Sequence, residues 1–465
     1  MTRLDWFYLL STERMRKLQR GPDSVRLEKE ERTEWERDYG RTIYSAPFRR
    51  LKQKAQVFPL EPGDYVRTRL THSIEVSSVA EDIASQLTRA IPDLESLEPQ
   101  LRNAIPLVAA TCGLIHDLGN PPFGHAGELA IATWFEGKIE KSPKFLDDLN
   151  EQQRFDFLRF EGNAHTLRII SNLCLLIDDF GLNYTCGTFS AARKYLPASD
   201  KLGSDHTHSK PGFFWSEREI VAIAASETRS DGCRHPLAFL VEAADDLVYS
   251  VVDLEDGVKR KVLDWQELAE YLQKNCSGSS AYTKVMKAVD KADLSGFTRS
   301  AKDEAMVQLF RISAISEFAI AAKELFRKHY DSIMDGEYRK ELILDDDSEA
   351  RPLIEACKRY ARGNLYKASN ILKLEIRGRH VIHELMDVLW EAVKDISPDK
   401  IPAGTKRYPD KIYQLISDNY RRVFEKRIKL DPEHQTYHKL QLITDYVAGM
   451  TDTFACELHK DLTNE

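Results

Sequence analysis

His72, the adjacent pair His116-Asp117, and Asp245 supply two imidazoles and two carboxylates. Neutral imidazole and ionised carboxylate form a mixed nitrogen and oxygen set that suits Mn²⁺, Co²⁺, Ni²⁺, Zn²⁺ or Fe²⁺, and with retained water Mg²⁺. Four protein ligands leave an octahedral ion two open positions, room for a water and a phosphate oxygen. Such an ion polarises a phosphoryl group and lowers the pKa of water. The His-Asp pair lies in the run Ile115-His116-Asp117-Leu118-Gly119-Asn120-Pro121-Pro122-Phe123-Gly124-His125-Ala126-Gly127-Glu128. There, His125 and Glu128 follow just past a Pro-Pro turn. Three apart at a helix start, they face the same side. The carboxylate can then hold one ring nitrogen while the other delivers a proton or takes part directly at phosphorus.

Asp245, Tyr249 and Asp253 are spaced i, i+4, i+8 and project from one helix face. The rest of that segment is built of Ala, Val and Leu, so these groups would be costly if buried without partners. A metal ion and a polar substrate would satisfy them; an internal salt-bridge network is the structural alternative. Each residue alone has an ordinary explanation. His72 could be a hydrogen-bonded core histidine, Asp117 a helix-ending residue that satisfies nearby backbone groups, and His125 with Glu128 an ion pair at a helix start. Their combination favours a catalytic metal site acting on phosphate.

The elements that must position these groups read as helices. Ile74, Val79, Ile83 and Leu87 mark one, and Ile105, Val108, Cys112 and Ile115 the next. Leu237 to Leu254 and Ile312 to Phe326 are two more. Strict alternation is rare, which leaves at most a short hairpin. Glu61-Pro62-Gly63-Asp64 is a turn, and Asn120-Pro121-Pro122 stops a helix because proline lacks the amide proton. Lys201 to Gly212 is a loop able to close over a site, and Leu344 to Pro352 is an acidic turn. The expected organisation is all-α: a catalytic helical domain over residues 1–300 and a helical C-terminal region over residues 301–465 packed on it.

The chain has 465 residues, with 42% hydrophobic and 30% charged, ordinary values for a globular protein. The net charge of −8 argues against a nucleic-acid coat protein. It leaves room for a local basic pocket that holds a small phosphorylated substrate. The basic clusters Lys259-Arg260-Lys261 and Arg421 to Lys429 read as solvated helix faces. No apolar run reaches the ~18–20 residues expected of a membrane span, and the N-terminus has no signal-peptide pattern. Seven cysteines without CxxC spacing read as reduced thiols in a cytoplasmic protein.

Several segments together resemble the bacterial dGTP triphosphohydrolases, which are HD-domain enzymes. They are Arg41 to Leu51, Arg67 to Ser73, the His116 to Glu128 run, Phe160-Glu161-Gly162-Asn163-Ala164 and Glu242-Ala243-Ala244-Asp245-Asp246, with a looser match at Glu375-Ile376-Arg377-Gly378. The resemblance implies a helical HD-domain fold. It implies cleavage between the 5′-oxygen and the α-phosphorus of a deoxynucleoside triphosphate, with dGTP the expected substrate and intact triphosphate a product. It also implies His72, His116, Asp117 and Asp245 as ligands of a divalent metal, and His125 with Glu128 as a catalytic pair. Gln56 and Asp253 match groups that hold the sugar 3′-hydroxyl, with Val57 under the sugar or base. Arg69, Lys194, Tyr195, Lys210 and Tyr249 match phosphate-contacting positions. A homo-oligomer, such as a hexamer, and a separate site for single-stranded DNA are further implications.

Two other readings stay open. One is an HD-type phosphohydrolase acting on a different nucleotide, such as a guanosine polyphosphate. The other is a nucleotide-sensing or DNA-regulated protein, which would be expected to have lost a ligand; all four are present.

Overall fold

The computed structural model describes residues 3–19, 31–58, 67–174, 180–292 and 294–463. The turn expected at Glu61 to Asp64 lies outside them. The described residues are helical, with isolated bridges such as Ala55 with Thr68 and no strand. The all-α expectation therefore holds, and the allowance for a hairpin is not used.

Two helices, Arg69–Ala90 and Pro99–Ile115, pack along each other at the centre. Their close approach follows from small residues. A Cβ on Gly113 would sit 2.6 Å from the Ser77 Cα, and the Ser77 hydroxyl donates to the Ala110 carbonyl at 2.9 Å. The third central helix, Pro236–Lys259, crosses both. It begins with proline at its first position, where a missing amide proton does no harm. His235 caps it, accepting from the Leu237 amide at 3.1 Å.

The expected helices are all present, but two apolar markers face outward. Ile74 is 50% exposed and Ile312 is 55% exposed. The buried stripe of the first helix runs instead through His72, Val76, Ala80, Ile83 and Leu87. Ile74 is two residues from His72, about 200° around the helix. Alanine and serine, not the larger residues, define the tightest contact face.

The Arg299–Lys328 helix is long and apolar enough, by length and composition, to cross a bilayer. Its Val307, Phe310, Ala314, Phe318, Ala322 and Leu325 recur at helical spacing and are buried against the Pro236–Lys259 helix and its neighbours. Arg311 on the same helix pairs with the buried Glu255 at 2.8 Å. One face of this helix is therefore in the core, while Ile312 and Ile320 on the other are exposed.

The apolar interior forms two clusters, one around Ala80, Leu247 and Phe318, the other around Phe135, Leu385 and Leu440. Both draw residues from either side of residue 300. In the second, the Ser369–Val393 helix packs on His125–Lys141 and on Asp452–Thr463. The Lys201 to Gly212 loop is irregular, as expected, with one tight turn at His206–His208. It is pinned by amide-to-carbonyl bonds from Leu196 to Thr207 and from Gly212 to Pro197.

Candidate functional site

His72 lies in the first turn of its helix, His116 and Asp117 just beyond the end of the next, and Asp245 midway along the third. The crossing brings them together. The His72 and His116 Nε2 atoms lie 3.0 and 3.5 Å from the same oxygen, Asp245 Oδ1. His116 Nδ1 donates to the Gly113 carbonyl at 2.8 Å, so whenever the ring is neutral, as a metal ion would require, the lone pair is on Nε2. That Nε2 is buried and has no hydrogen-bond partner. Burial opposes a charge on the imidazole, yet Asp117 and Asp245 outweigh it and push His116 up to about 9. Burial likewise opposes ionised Asp245, but His116 and His72 hold its carboxyl well below the usual range. An orphaned buried nitrogen beside converging carboxylates is a donor set that fits a divalent cation.

Asp117 stands at the edge of this set. Its Oδ1 is 3.6 Å from His116 Nε2 and accepts from Asn120 Nδ2, while Oδ2 accepts from Arg69 at 2.7 Å. Burial would raise its carboxyl, but Arg69 dominates and holds it at about 2. The loop behind is fixed by the 2% exposed Lys54, which donates to the Asn120 and Ala448 carbonyls.

The loop then turns sharply. Phe123 and Gly124 both have positive φ, 64° and 60°. A non-glycine residue there is strained by about 1–3 kcal/mol and persists only when its surroundings hold it. Asp452 does so: its Oδ1 accepts from the Phe123 amide at 3.0 Å and its Oδ2 from the Ala55 amide at 2.9 Å. Gly124, at φ 60° and ψ −131°, is in a backbone conformation that side chains rarely adopt, so glycine is needed there. The helix starts at His125, as expected. His125 is 84% exposed at its side chain, and its Nδ1 is 2.8 Å from Glu128 Oε2. Glu128 Oε1 accepts from the Gly162 amide at 2.8 Å. The hydrogen bond to Glu128 raises the His125 pKa above its ordinary value.

Arg69, His72, His116, Asp117, Asn120, His125 and Asp245 line one cavity of about 460 Å³, together with Gln56, Val57, Lys194, Tyr195, Lys210, Tyr249 and Asp253. The fourteen sequence-derived site residues thus converge, with Glu128 one contact behind His125. Arg69, Lys194 and Lys210 give the wall three cations. Lys194 is held 3.4 Å from Glu242, and Lys210 3.0 Å from Glu161. Further along the Pro236–Lys259 helix, Asp253 Oδ2 accepts from the Tyr366 hydroxyl at 2.6 Å. Asp253 Oδ1 and Gln56 Oε1 are buried acceptors without partners. Burial pushes the Asp253 carboxyl up to about 7. Asp245 and Asp253 are ~12 Å apart along the helix axis, from the 1.5 Å rise per residue.

Sequence reasoning did not find Lys54, Asn120, Tyr366 or Asp452 as parts of the site. Asn120 sits inside the His-Asp run and was visible there. Tyr366 and Asp452 come from segments more than a hundred residues beyond Asp253 in the chain, with no local signal of their contacts.

Comparison with known proteins places this geometry. The HD domain family matches residues 69–179, and the phosphohydrolase-associated domain matches residues 345–461. A deoxyguanosinetriphosphate triphosphohydrolase-like protein of Listeria monocytogenes is 34% identical over 449 residues, covering 93% of this chain and 94% of the relative. A protein of the same name from Synechocystis is 32% identical, covering 99% of both chains. A deoxyguanosinetriphosphate triphosphohydrolase of Klebsiella pneumoniae is 31% identical, covering 95% of this chain and 96% of the relative. With similarity along nearly its whole length, and an HD-domain match beginning at Arg69 on the cavity wall, the chain belongs to the deoxyguanosinetriphosphate triphosphohydrolase family of HD-domain phosphohydrolases.

Proposed function

We propose that this cavity hydrolyses a deoxynucleoside triphosphate, dGTP foremost, to the deoxynucleoside and inorganic triphosphate. The observation that carries the reading is the pairing, in one cavity, of a cation-ready His/Asp set with three basic side chains and two unpartnered acceptors. His72, His116, Asp117 and Asp245 would hold a divalent ion of the Mn²⁺, Mg²⁺ or first-row transition type. When bound, that ion supplies a Lewis acid beside the phosphoryl group and acidifies water. Arg69, Lys194 and Lys210 neutralise the triphosphate, with the Tyr195 and Tyr249 rings beside them. His125, whose protonated form the hydrogen bond to Glu128 favours, donates from Nε2 to the departing 5′-oxygen. Asp253 Oδ1 and Gln56 Oε1 accept from the 3′-hydroxyl, and Val57 closes the space a 2′-hydroxyl would need. A second reading, hydrolysis of a guanosine polyphosphate, uses the same metal and basic wall. It leaves Val57 without a role, because such a substrate carries a 2′-hydroxyl.

Cysteines with no disulfide among the described residues suit a reducing cytoplasm. Leu372 and Ile376, exposed one turn apart on one helix, suit burial against a second copy in a homo-oligomer. Light scattering at several protein concentrations measures that state. For the activity, the purified chain is incubated with each dNTP alone and with all four together, with Mg²⁺ or Mn²⁺, and the products are separated. Release of triphosphate supports the reading; release of orthophosphate or pyrophosphate refutes it. His72→Ala, His116→Ala, Asp117→Ala and Asp245→Ala should each remove nearly all turnover with the fold intact. Near-normal turnover with unchanged metal content in two of them would refute the metal assignment.

A further inference from the structure

A second set of metal-ligating side chains meets away from the cavity. His380 and Glu384 lie one turn apart on the Ser369–Val393 helix, and His459 comes from the Asp452–Thr463 helix. Glu384 Oε1 is 3.0 Å from His380 Nε2, and its Oε2 is 2.7 Å from His459 Nε2. The two rings have centroids 5.7 Å apart at 64°, against 5.3 Å and 65° for His72 and His116. Two imidazoles on one ion at about 2.0–2.1 Å would place their centroids roughly 5 Å apart. As in the catalytic set, one donor atom from each residue lies within 4.8 Å of the others. A third group, His329 with Asp345 and Asp347, differs. Its histidine nitrogen is 3.9 Å from both carboxylates, and Asp345 already accepts from Tyr338 and from the Asp347 amide.

We propose that His380, Glu384 and His459 bind a divalent transition-metal ion of the Zn²⁺ class, distinct from the ion of the cavity. Two imidazoles and one carboxylate are a borderline-soft three-ligand set, and His380, 57% exposed at its side chain, leaves the fourth position open to water. The site joins the two helices that hold the turn in front of His125. The Ser369–Val393 helix offers Gly378, where a Cβ would lie 2.6 Å from the Phe123 ring. The Asp452–Thr463 helix offers Asp452, which accepts from the Phe123 and Ala55 amides. An ion here staples those helices and rigidifies the loop that carries His125.

The test is a count of bound Zn²⁺ on the untagged full-length chain after equilibration and gel filtration, with thermal melting alongside. Wild type should hold about two equivalents per chain, and His72→Ala, His459→Ala and Glu384→Gln about one each. Zn²⁺ should raise the melting temperature of His72→Ala and have a smaller effect on His72→Ala/Glu384→Gln. Glu384→Gln is close to isosteric at a part-exposed position, so it serves if His459→Ala misfolds. A wild-type chain that binds no more Zn²⁺ than His459→Ala and Glu384→Gln would overturn the proposal. This outcome is independent of the cavity's substrate.

Discussion

His125 and Glu128 are the pair whose roles separate most cleanly from metal binding. Neither nitrogen of His125 belongs to the cation set, and its Nδ1 is occupied by Glu128. His125→Ala should therefore lower kcat by about 10²–10⁴-fold, the usual contribution of general acid catalysis, with metal content unchanged. Glu128→Gln should act in the same direction but more weakly, because an amide still holds the ring. Full kcat in His125→Ala, or loss of metal from it, would remove this role. At the sugar end, Asp253 and Gln56 each present an unpartnered acceptor. A ribonucleotide would press its 2′-hydroxyl against Val57, at about 1–3 kcal/mol for the unpaired group, or about one to two orders of magnitude in kcat/KM. We expect kcat/KM to fall from dGTP to GTP and from dGTP to ddGTP. Val57→Ala should narrow the first gap and Asp253→Asn the second. Equal rates on dGTP and GTP would contradict this account of the pocket.

Among the elements, the Phe123–Gly124 turn depends on a carboxylate from far along the chain. Asp452→Ala leaves two backbone amides without acceptors, about 1–3 kcal/mol each. It also frees a strained loop next to the general acid, where a shift of about 1 Å can lower rate about a hundredfold. The expected result is a fall in kcat larger than the change in KM, partly restored by Asp452→Asn; unchanged kcat would show that the clamp is irrelevant to catalysis. The helix that carries Asp245 has its own pH dependence. His235 donates from Nε2 to the Leu9 carbonyl and accepts at Nδ1 from the Leu237 amide, so it is bound as the neutral ring. Burial depresses its pKa from 6.5 to about 4. A depressed folded-state value contributes stability that is present above about 6.5 and lost as pH falls towards 4. The melting temperature of the wild type should therefore drop more steeply from pH 7 to pH 4.5 than that of His235→Asn, which keeps a capping side chain and cannot titrate. Parallel curves would contradict this. The local patterns were legible in the sequence: the three ligand helices, the stop at the proline pair and the His125–Glu128 spacing all follow from short-range rules. The outward face of Ile74 was not, because small residues at Ser73, Ser77 and Ala80 set the close packing. Nor were Tyr366, Gly378 and Asp452, whose roles exist only once distant helices dock.

For the whole molecule, the cavity cannot be separated from the C-terminal region. Tyr366, Ile371 and Glu375 form part of its lining, and Asp452 holds its floor. Both apolar clusters run across the division proposed at residue 300. The central claim is attack of water at the α-phosphorus with the 5′-oxygen leaving on the sugar, and it is tested most directly by isotope. Hydrolysis of dGTP in ¹⁸O-water, followed by mass spectrometry of both products, should place one ¹⁸O in inorganic triphosphate and none in deoxyguanosine. Label in deoxyguanosine, or labelled orthophosphate or pyrophosphate as the primary product, would contradict it.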